Sequence, residues 1–224
     1  MDGPRNSAHD TLLLLLSLAA GCVDARAFVS VGVFTANMTG NSVVLALALL
    51  HPDVDHVALP FLALAAFCLG VAVGARLTVT TEHTWSRGVS RAMFLAGVVM
   101  LVVATLISVT GEQLLVATGF AMGVQSAAVQ RLGVAGVATV VVTGTLTTAI
   151  TRFVAPGPGE RRAGAWLPAL TWIGYLAGAI LGGLQTARAL ILFLPGALLL
   201  AVAAIAQLGR ATSAESASRR QPAA

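Results

Sequence analysis

The sequence contains no lysine, a single tyrosine and two cysteines, and only 10% of its 224 residues are charged. All of its basic charge is arginine, scattered rather than clustered, which argues against a nucleic-acid partner despite the net charge of +4. Cys22 and Cys68 both fall in apolar segments, which excludes a disulfide or zinc framework. Catalytic triads, phosphate loops and nucleotide fingerprints are also missing, so we expect no enzyme activity, no cofactor and no metal.

Apolar residues are abundant instead and make up 57% of the chain. They occur in uncharged runs, and about 20 such residues span the hydrocarbon core of a bilayer as a helix. The runs cover residues 27–50, 57–75, 92–111, 113–130, 132–151, 163–187 and 189–209. Another, Thr11–Val23, becomes long enough if its helix continues past Asp24 and Arg26. This pattern predicts an all-α, polytopic membrane protein.

The arginines predict its topology. Most lie in the segments 76–91, 152–162 and 210–220, whereas the loops 51–56 and 111–112 contain none. Short arginine-rich loops stay in the cytoplasm. Six net crossings satisfy this rule. We therefore expect a cytoplasmic N-terminus at 1–10, a transmembrane domain at 11–209 and a disordered cytoplasmic tail at 210–224.

The two halves of the chain resemble each other. "LLLLLSLAAGCVDA" (12–25) aligns with "LLVATGFAMGVQSA" (114–127), and "TANMTGNS" (35–42) with "TVVVTGTL" (139–146). Small residues four positions apart then recur at Ala66, Gly70 and Gly74 and at Gly174, Gly178 and Gly182. The pattern predicts two inverted repeats, about 11–110 and 113–209, as in many transporters. Each repeat would hold a full helix, a broken or half helix and two further full helices.

Two Thr-Gly pairs mark the predicted breaks. Thr39-Gly40 and Thr143-Gly144 are expected to be non-helical at mid-membrane depth, before half-helices at 40–50 and 144–154. Irregular backbone is tolerated at this depth only where protein buries it or a wet cavity adjoins it. We therefore expect the two breaks to approach one another and to share polar partners.

Polar residues near these breaks are the candidate binding groups. Asp24 is the only acid well inside a membrane segment; it either carries a proton or cation, or caps the break, or pairs with Arg26 or Arg131. The other polar residues either contact a solute or satisfy the broken helices. The candidate substrate-binding residues are Asp24, Asn37, Thr39, Gly40, Asn41, Gln125, Thr143, Gly144 and Thr145.

Four segments carry a family resemblance. "GCVDA", "VFTANMTGNSV", "AMGVQSAAVQRLG" and "VVTGTLT" resemble signature segments of the YoaK-like family of bacterial membrane proteins, a domain of unknown function. The similarity runs from about Leu12 to Leu208. It implies a multi-pass protein of the bacterial inner membrane, and it implies no particular activity. Cys22, Ser126 and Gln130 stand where members often have Tyr, Asn and Arg.

Two functions fit these observations. The first is a small secondary transporter or permease for a small polar or anionic solute, with Asp24 coupling it to a proton. The alternative is a membrane scaffold or accessory subunit whose breaks are structural and whose glycine stripes form a homodimer. The expected partners are the lipid bilayer, a small-molecule solute and a second copy of the chain. Breaks that converge on one cavity would favour transport.

Overall fold

The described part of the chain is entirely helical. A computed structural model describes residues 7–50, 54–79, 85–106, 111–134, 137, 139, 142–157, 162–184 and 188–218. Its helices are α1 (Ser7–Val31), α2 (Met38–Leu50), α3 (Val54–Leu77), α4 (Arg87–Thr105), α5 (Gly111–Arg131), α6 (Val142–Val154), α7 (Trp166–Gly183) and α8 (Arg188–Ser218). One turn of 3-10 helix, Arg162–Ala165, precedes α7. The all-α class is thus confirmed.

Four of these helices are long and apolar enough to cross a membrane, by length and composition. They are Ala8–Val31, Val57–Leu77, Arg87–Thr105 and Trp166–Gly183. The first of them contains the apolar run Thr11–Val23 and continues through Asp24 and Arg26 without interruption. This is the continuation that makes the run long enough to span a membrane. The helix is therefore long enough only because it includes two charged residues, and both side chains need polar surroundings at membrane depth.

The helix lengths follow one plan twice: a long helix, a short helix and two further helices. The short helices, α2 and α6, have 13 residues each. At about 1.5 Å per residue they extend roughly 20 Å, less than the hydrocarbon core of a bilayer, which is about 30 Å thick. The expected half-helices are therefore present, with boundaries within two residues of the predicted ones.

The breaks themselves lie earlier in the chain than predicted. Thr39-Gly40 and Thr143-Gly144 are not irregular but belong to the first turns of α2 and α6. The first break is residues 32–37, and the second lies between α5 and α6. Each break begins near a glycine in the left-handed region, Gly32 at φ 72° and Gly133 at φ 62°, where a helix C-terminus favours glycine. These upstream glycines, not the Thr-Gly pairs, end the long helices.

The C-terminal helix also differs from the prediction. We expected a disordered tail from residue 210, but α8 continues to Ser218. Alanine, serine, glutamate and arginine can all extend a helix that is already formed, so polarity alone does not end it. Residues 219–224 lie outside the described residues.

The glycine stripe of α7 packs against α1. A Cβ atom added at Gly178 would collide with the carbonyl oxygen of Leu18, and one added at Gly182 with that of Cys22. Gly21 of α1 likewise leaves room for the backbone of Tyr175. The residue numbers rise together on both helices, so α1 and α7 run parallel. This is close backbone approach of the kind that small residues permit.

The glycine stripe of α3 packs against α5 in the same way. A Cβ atom at Gly70 would collide with the carbonyl oxygen of Phe120, and one at Gly74 would lie 2.8 Å from that of Val124. The predicted role of the stripes as helix contacts is therefore confirmed. Contacts within the chain already occupy both stripes, so a homodimer, which stays a prediction, would have to use another surface.

The remaining contacts complete the bundle. Gly97 of α4 meets Leu200 of α8, and Gly196 of α8 meets Leu101 of α4, so these helices cross in antiparallel directions. The short helices lie outside, α2 against α3 and α6 against α7. The main cluster of buried apolar side chains lies among α1, α4, α5 and α8. These four helices therefore surround the centre of the bundle.

Candidate functional site

Asp24 of α1 holds the first break. Its carboxylate is 1% exposed, and Oδ1 accepts hydrogen bonds from the backbone N–H groups of Thr35 (2.8 Å), Ala36 (2.6 Å) and Asn37 (3.4 Å). The Thr35 hydroxyl adds a fourth bond at 3.2 Å, and the Tyr175 hydroxyl donates to Oδ2 at 2.6 Å. Three successive N–H groups before a helix form an anion-binding site. Asp24 is the anion that occupies it.

Two asparagines complete the start of α2. Asn37 precedes the helix, and its Oδ1 accepts from the N–H of Gly40 at 3.2 Å, as in an N-cap. Asn41 is fully buried and bonds both backbone groups of Phe34: its Oδ1 accepts from the N–H at 2.9 Å, and its Nδ2 donates to the carbonyl at 2.7 Å. These side chains replace the backbone partners that the broken helix lacks.

Gln125 of α5 holds the second break. Its buried Nε2 donates to the hydroxyl of Thr139 at 3.2 Å and to the carbonyl of Leu16 at 3.1 Å. Thr139 aligns with Thr35 in the repeats, so each break is held through the corresponding threonine. Among the described residues, Gln125 Oε1 has no hydrogen-bond partner. No carboxylate is involved here, because Ser126 stands where the first repeat has Asp24.

The two breaks lie at different heights in the bundle. The first is fixed beside Asp24 and the second beside Leu16, which are about two turns and roughly 12 Å apart along α1. The described residues therefore form two separate polar clusters. They do not form the single shared space that the sequence led us to expect.

The other candidate residues are placed variously. Thr39 is exposed and Gly40 half-buried in the first turn of α2, while Thr143 and Gly144 are exposed at the start of α6. Thr145 is 1% exposed. The structure thus brings Asp24, Asn37 and Asn41 together around the first break, with Gln125 separate at the second break.

A further pocket lies between the four central helices, where α1 ends and α5 begins. Its free volume is about 30 Å³. It is lined by Cys22, Val23, Arg26, Ala27, Met100, Ala104, Leu114, Thr118 and Pro195. We call this space the Arg26 pocket.

Among the described residues that line this pocket, Arg26 alone carries a charge. Its Nε atom is buried and has no hydrogen-bond partner within the described part of the chain. The expected pairing with Asp24 is not seen, since the Asp24 carboxylate instead bonds the first break and Tyr175. An arginine roughly 7 Å before the end of a membrane helix is a functional-site candidate by default.

The opposite end of the central helices is closed. The alignment of α1 with α5 and the crossing of α4 with α8 give each residue of the Arg26 pocket a counterpart in the other half. Those counterparts are Val124, Gln125, Ala128, Val129, Leu199, Ala203, Leu12, Leu16 and Ala96, respectively. Eight of them belong to the main apolar cluster and are at most 5% exposed, and the ninth, Gln125, is a buried polar residue of the second break. We call this region the sealed end.

Sequence reasoning did not select Arg26 or the pocket. Arg26 was considered only as a partner for Asp24, and its pocket neighbours are mostly ordinary apolar residues. The available signal was an arginine within an apolar helix, five residues before that helix ends. The partners of Asp24 are distant in sequence, so no local pattern revealed that Arg26 would lack one.

Comparison with known proteins agrees with the membrane character of the fold. A relative from Bacillus subtilis strain 168, "UPF0700 transmembrane protein YoaK", is 38% identical over 144 residues, which cover 62% of this chain and 64% of that protein. No solved structure matches. The family described as "Protein of unknown function (DUF1275)" matches residues 12–206, and the chain therefore belongs to this family of membrane proteins.

Proposed function

We propose that the protein is a small secondary transporter of the bacterial inner membrane, built from two inverted repeats around α1, α4, α5 and α8. Its solute is a small polar or anionic molecule. The two repeats would exchange roles during transport, so that access to the centre alternates between the two ends of the bundle. Multi-pass transporters of this design place the substrate between their repeats.

Helix directions support the inverted repeats. The end of α1 lines the Arg26 pocket together with the start of α5, so these aligned helices run in opposite directions. The parallel pair α1 and α7 has its counterpart in the parallel pair α3 and α5, with aligned glycines at both interfaces. The self-complementary crossing of Gly97 with Gly196 lies where a twofold axis would pass.

The observation that carries the proposal is the difference between the two ends. Equivalent positions of the two repeats form a pocket at the Arg26 end and a buried, chiefly apolar core that contains Gln125 at the sealed end. An alternating transporter needs two such arrangements of similar parts, one open and one closed. A purely structural bundle has no requirement for the difference.

Asp24 has a defined place in this proposal. Its carboxylate links the N–H groups before α2 to Tyr175 of α7, so it joins three elements. Protonation would remove the charge that these donors stabilise and would loosen α2 from α1. Proton coupling would thus act through movement of the short helix, rather than by direct contact between Asp24 and the solute.

Flux into liposomes tests the proposal. Purified protein is reconstituted, and uptake of small organic acids, inorganic anions and neutral polar metabolites is compared with uptake into protein-free vesicles. We expect saturable flux of at least one solute. Absence of flux across the panel would favour the alternative, a non-transporting scaffold or accessory subunit.

A matched pair of variants controls this experiment. Ala104→Leu adds a larger side chain inside the Arg26 pocket, whereas Ala72→Leu makes the same change at an exposed position of α3. Ala104→Leu should strongly reduce flux and Ala72→Leu should leave it unchanged. Equal flux in both variants would contradict a route through this pocket.

A further inference from the structure

We propose that the Arg26 pocket binds a small anion, held by the Arg26 guanidinium. This proposal assigns a negative charge to the solute. It rests on the proposed function only in explaining why the protein would bind an anion. Binding itself is a separate property, and it can be measured without transport.

The first argument is the state of Arg26. A guanidinium carries five N–H donors and no acceptor, so inside a membrane it needs carboxylate, carbonyl or anion oxygens around it. The buried Nε of Arg26 has no such partner in the described part of the chain. The nearest acid along α1, Asp24, has its oxygens occupied by Thr35, Ala36 and Tyr175. The positive charge of Arg26 therefore lacks a contacting counter-ion among the described residues.

The second argument is the shape of the space beside it. A free volume of about 30 Å³ accommodates about two water-sized groups. Such a space admits a halide or the carboxylate head of a small organic acid, and it is too small for a large polar solute. The remaining wall is chiefly apolar, with Met100, Leu114 and Pro195, which strengthens an ionic contact by excluding water.

Arg26 is the donor that an anion would meet in this pocket. The Thr118 hydroxyl already donates to the carbonyl of Leu114 at 2.6 Å, so its proton is not free for a ligand. Glu112 of α5 lines a different groove, on the outer face of α3 and α5. Among the described residues that line the Arg26 pocket, none carries a carboxylate.

Thermal unfolding of the full-length protein in an uncharged detergent measures binding. Sodium chloride, formate, acetate and phosphate are titrated against sodium gluconate at constant ionic strength. A ligand that binds only the folded state raises the melting temperature. We expect at least one of the smaller anions to raise it saturably, and no effect of any anion beyond that of gluconate would overturn the proposal.

Arg26→Gln tests the residue, with Arg91→Gln as the matched control at an exposed position of α4. Loss of a charged hydrogen bond should weaken anion binding about ten-fold or more in Arg26→Gln and leave Arg91→Gln unchanged. Without anion, Arg26→Gln should be at least as stable as the wild type, because no protein partner loses a contact. An unchanged anion response in Arg26→Gln would overturn the assignment.

Ala104→Leu keeps the proposal testable if Arg26→Gln does not fold. It fills the pocket while keeping the arginine, and it should abolish the anion response, whereas Ala72→Leu should retain it. Phosphatidylglycerol is added in a separate titration. If only this lipid stabilises the protein, the site binds a lipid headgroup and the proposal of a free anion is overturned.

The transport assay separates the two proposals. Anion binding that depends on Arg26, without flux of any solute, would support the site and contradict the transporter. Flux that is unaffected by Arg26→Gln would support the transporter and contradict the anion site.

Discussion

At the scale of single residues, the first half-helix carries its own anion. The N-terminus of a helix attracts negative charge through its unpaired N–H groups. In the break before α2, three successive N–H groups, those of Thr35, Ala36 and Asn37, donate to Asp24. These donors are therefore already occupied by a group of the protein. The positive charge available to a solute is instead on Arg26, on the same helix.

Substitutions at Asp24 should destabilise the protein in a graded order. Asp24→Ala leaves the N–H groups of Thr35 and Ala36 without an acceptor, each costing several kcal/mol in lipid, and should prevent folding. Asp24→Asn keeps an acceptor without the charge and should cost about 1–3 kcal/mol. Melting temperatures in detergent measure the order, with Asp10→Asn, at a half-buried position in the first turn of α1, as control.

Tyr175→Phe removes one bond of the same cluster and tests it independently. The loss of the 2.6 Å hydrogen bond to Asp24 Oδ2 should cost about 1.5–3 kcal/mol, the range for bonds to charged groups. Asp24→Asn and Tyr175→Phe share this contact, so their effects should not add in the double variant. Additive effects, or an Asp24→Ala variant as stable as the wild type, would contradict the described cluster.

Residue types could be predicted from the sequence, but their roles could not. Asp24, Asn37, Asn41 and Gln125 were selected because polar groups are costly in a membrane, and all four are partly or fully buried. Whether each bonds a solute or the backbone depends on partners distant in sequence, such as Tyr175 for Asp24. The structure shows backbone partners for Asp24, Asn37 and Asn41 at the first break and the Thr139 hydroxyl as the partner of Gln125 at the second, whereas Arg26 Nε lacks a partner in the described part of the chain.

At the scale of helices, the interfaces depend on glycines that touch a neighbouring backbone. Gly178→Ala should destabilise the protein by about 1–3 kcal/mol, the usual cost of overpacking, because its new methyl group would meet the carbonyl of Leu18. Gly183 lies in the same helix, and a Cβ there has nothing within 4 Å. Gly183→Ala should therefore change the melting temperature little.

The corresponding change in the other half tests whether the interfaces are equivalent. Gly70→Ala would place its methyl group against the carbonyl of Phe120, which aligns with Leu18. Its cost should resemble that of Gly178→Ala, again within about 1–3 kcal/mol. If Gly178→Ala and Gly183→Ala are equally stable, α1 and α7 do not pack as described.

Helix positions were predictable because their signals are local. The apolar runs and the repeated small residues predicted the long helices, and the aligned Thr-Gly pairs predicted the approximate starts of α2 and α6. The exact positions of the breaks were not predictable, since a Thr-Gly pair fits both an irregular segment and a first helical turn. The left-handed Gly32 and Gly133 decided between these conformations.

At the scale of the whole molecule, helix direction and arginine distribution lead to the same topology. With α1 parallel to α7, α3 parallel to α5, and α4 antiparallel to α8, both ends of the chain lie on one side. The arginine segments at 76–91, 152–162 and 210–220 then share that side, as the rule for cytoplasmic loops requires. Two independent kinds of observation thus favour six net crossings.

Cysteine labelling in cells tests this topology. Single cysteines at Val79→Cys, Gly164→Cys and Leu106→Cys, in a background without Cys22 and Cys68, occupy accessible positions and leave every arginine in place. Only Leu106→Cys should react with a membrane-impermeant reagent added outside, because it follows α4, whereas Val79 and Gly164 should react only after permeabilisation. Val79 and Gly164 would lie on opposite sides if α6 crossed completely, whereas complete crossing by α2 alone would place both of them outside and Leu106 inside. Opposite sides for Val79 and Gly164 would exclude the inverted repeats, because the two halves would then either differ in their number of crossings or have the same orientation.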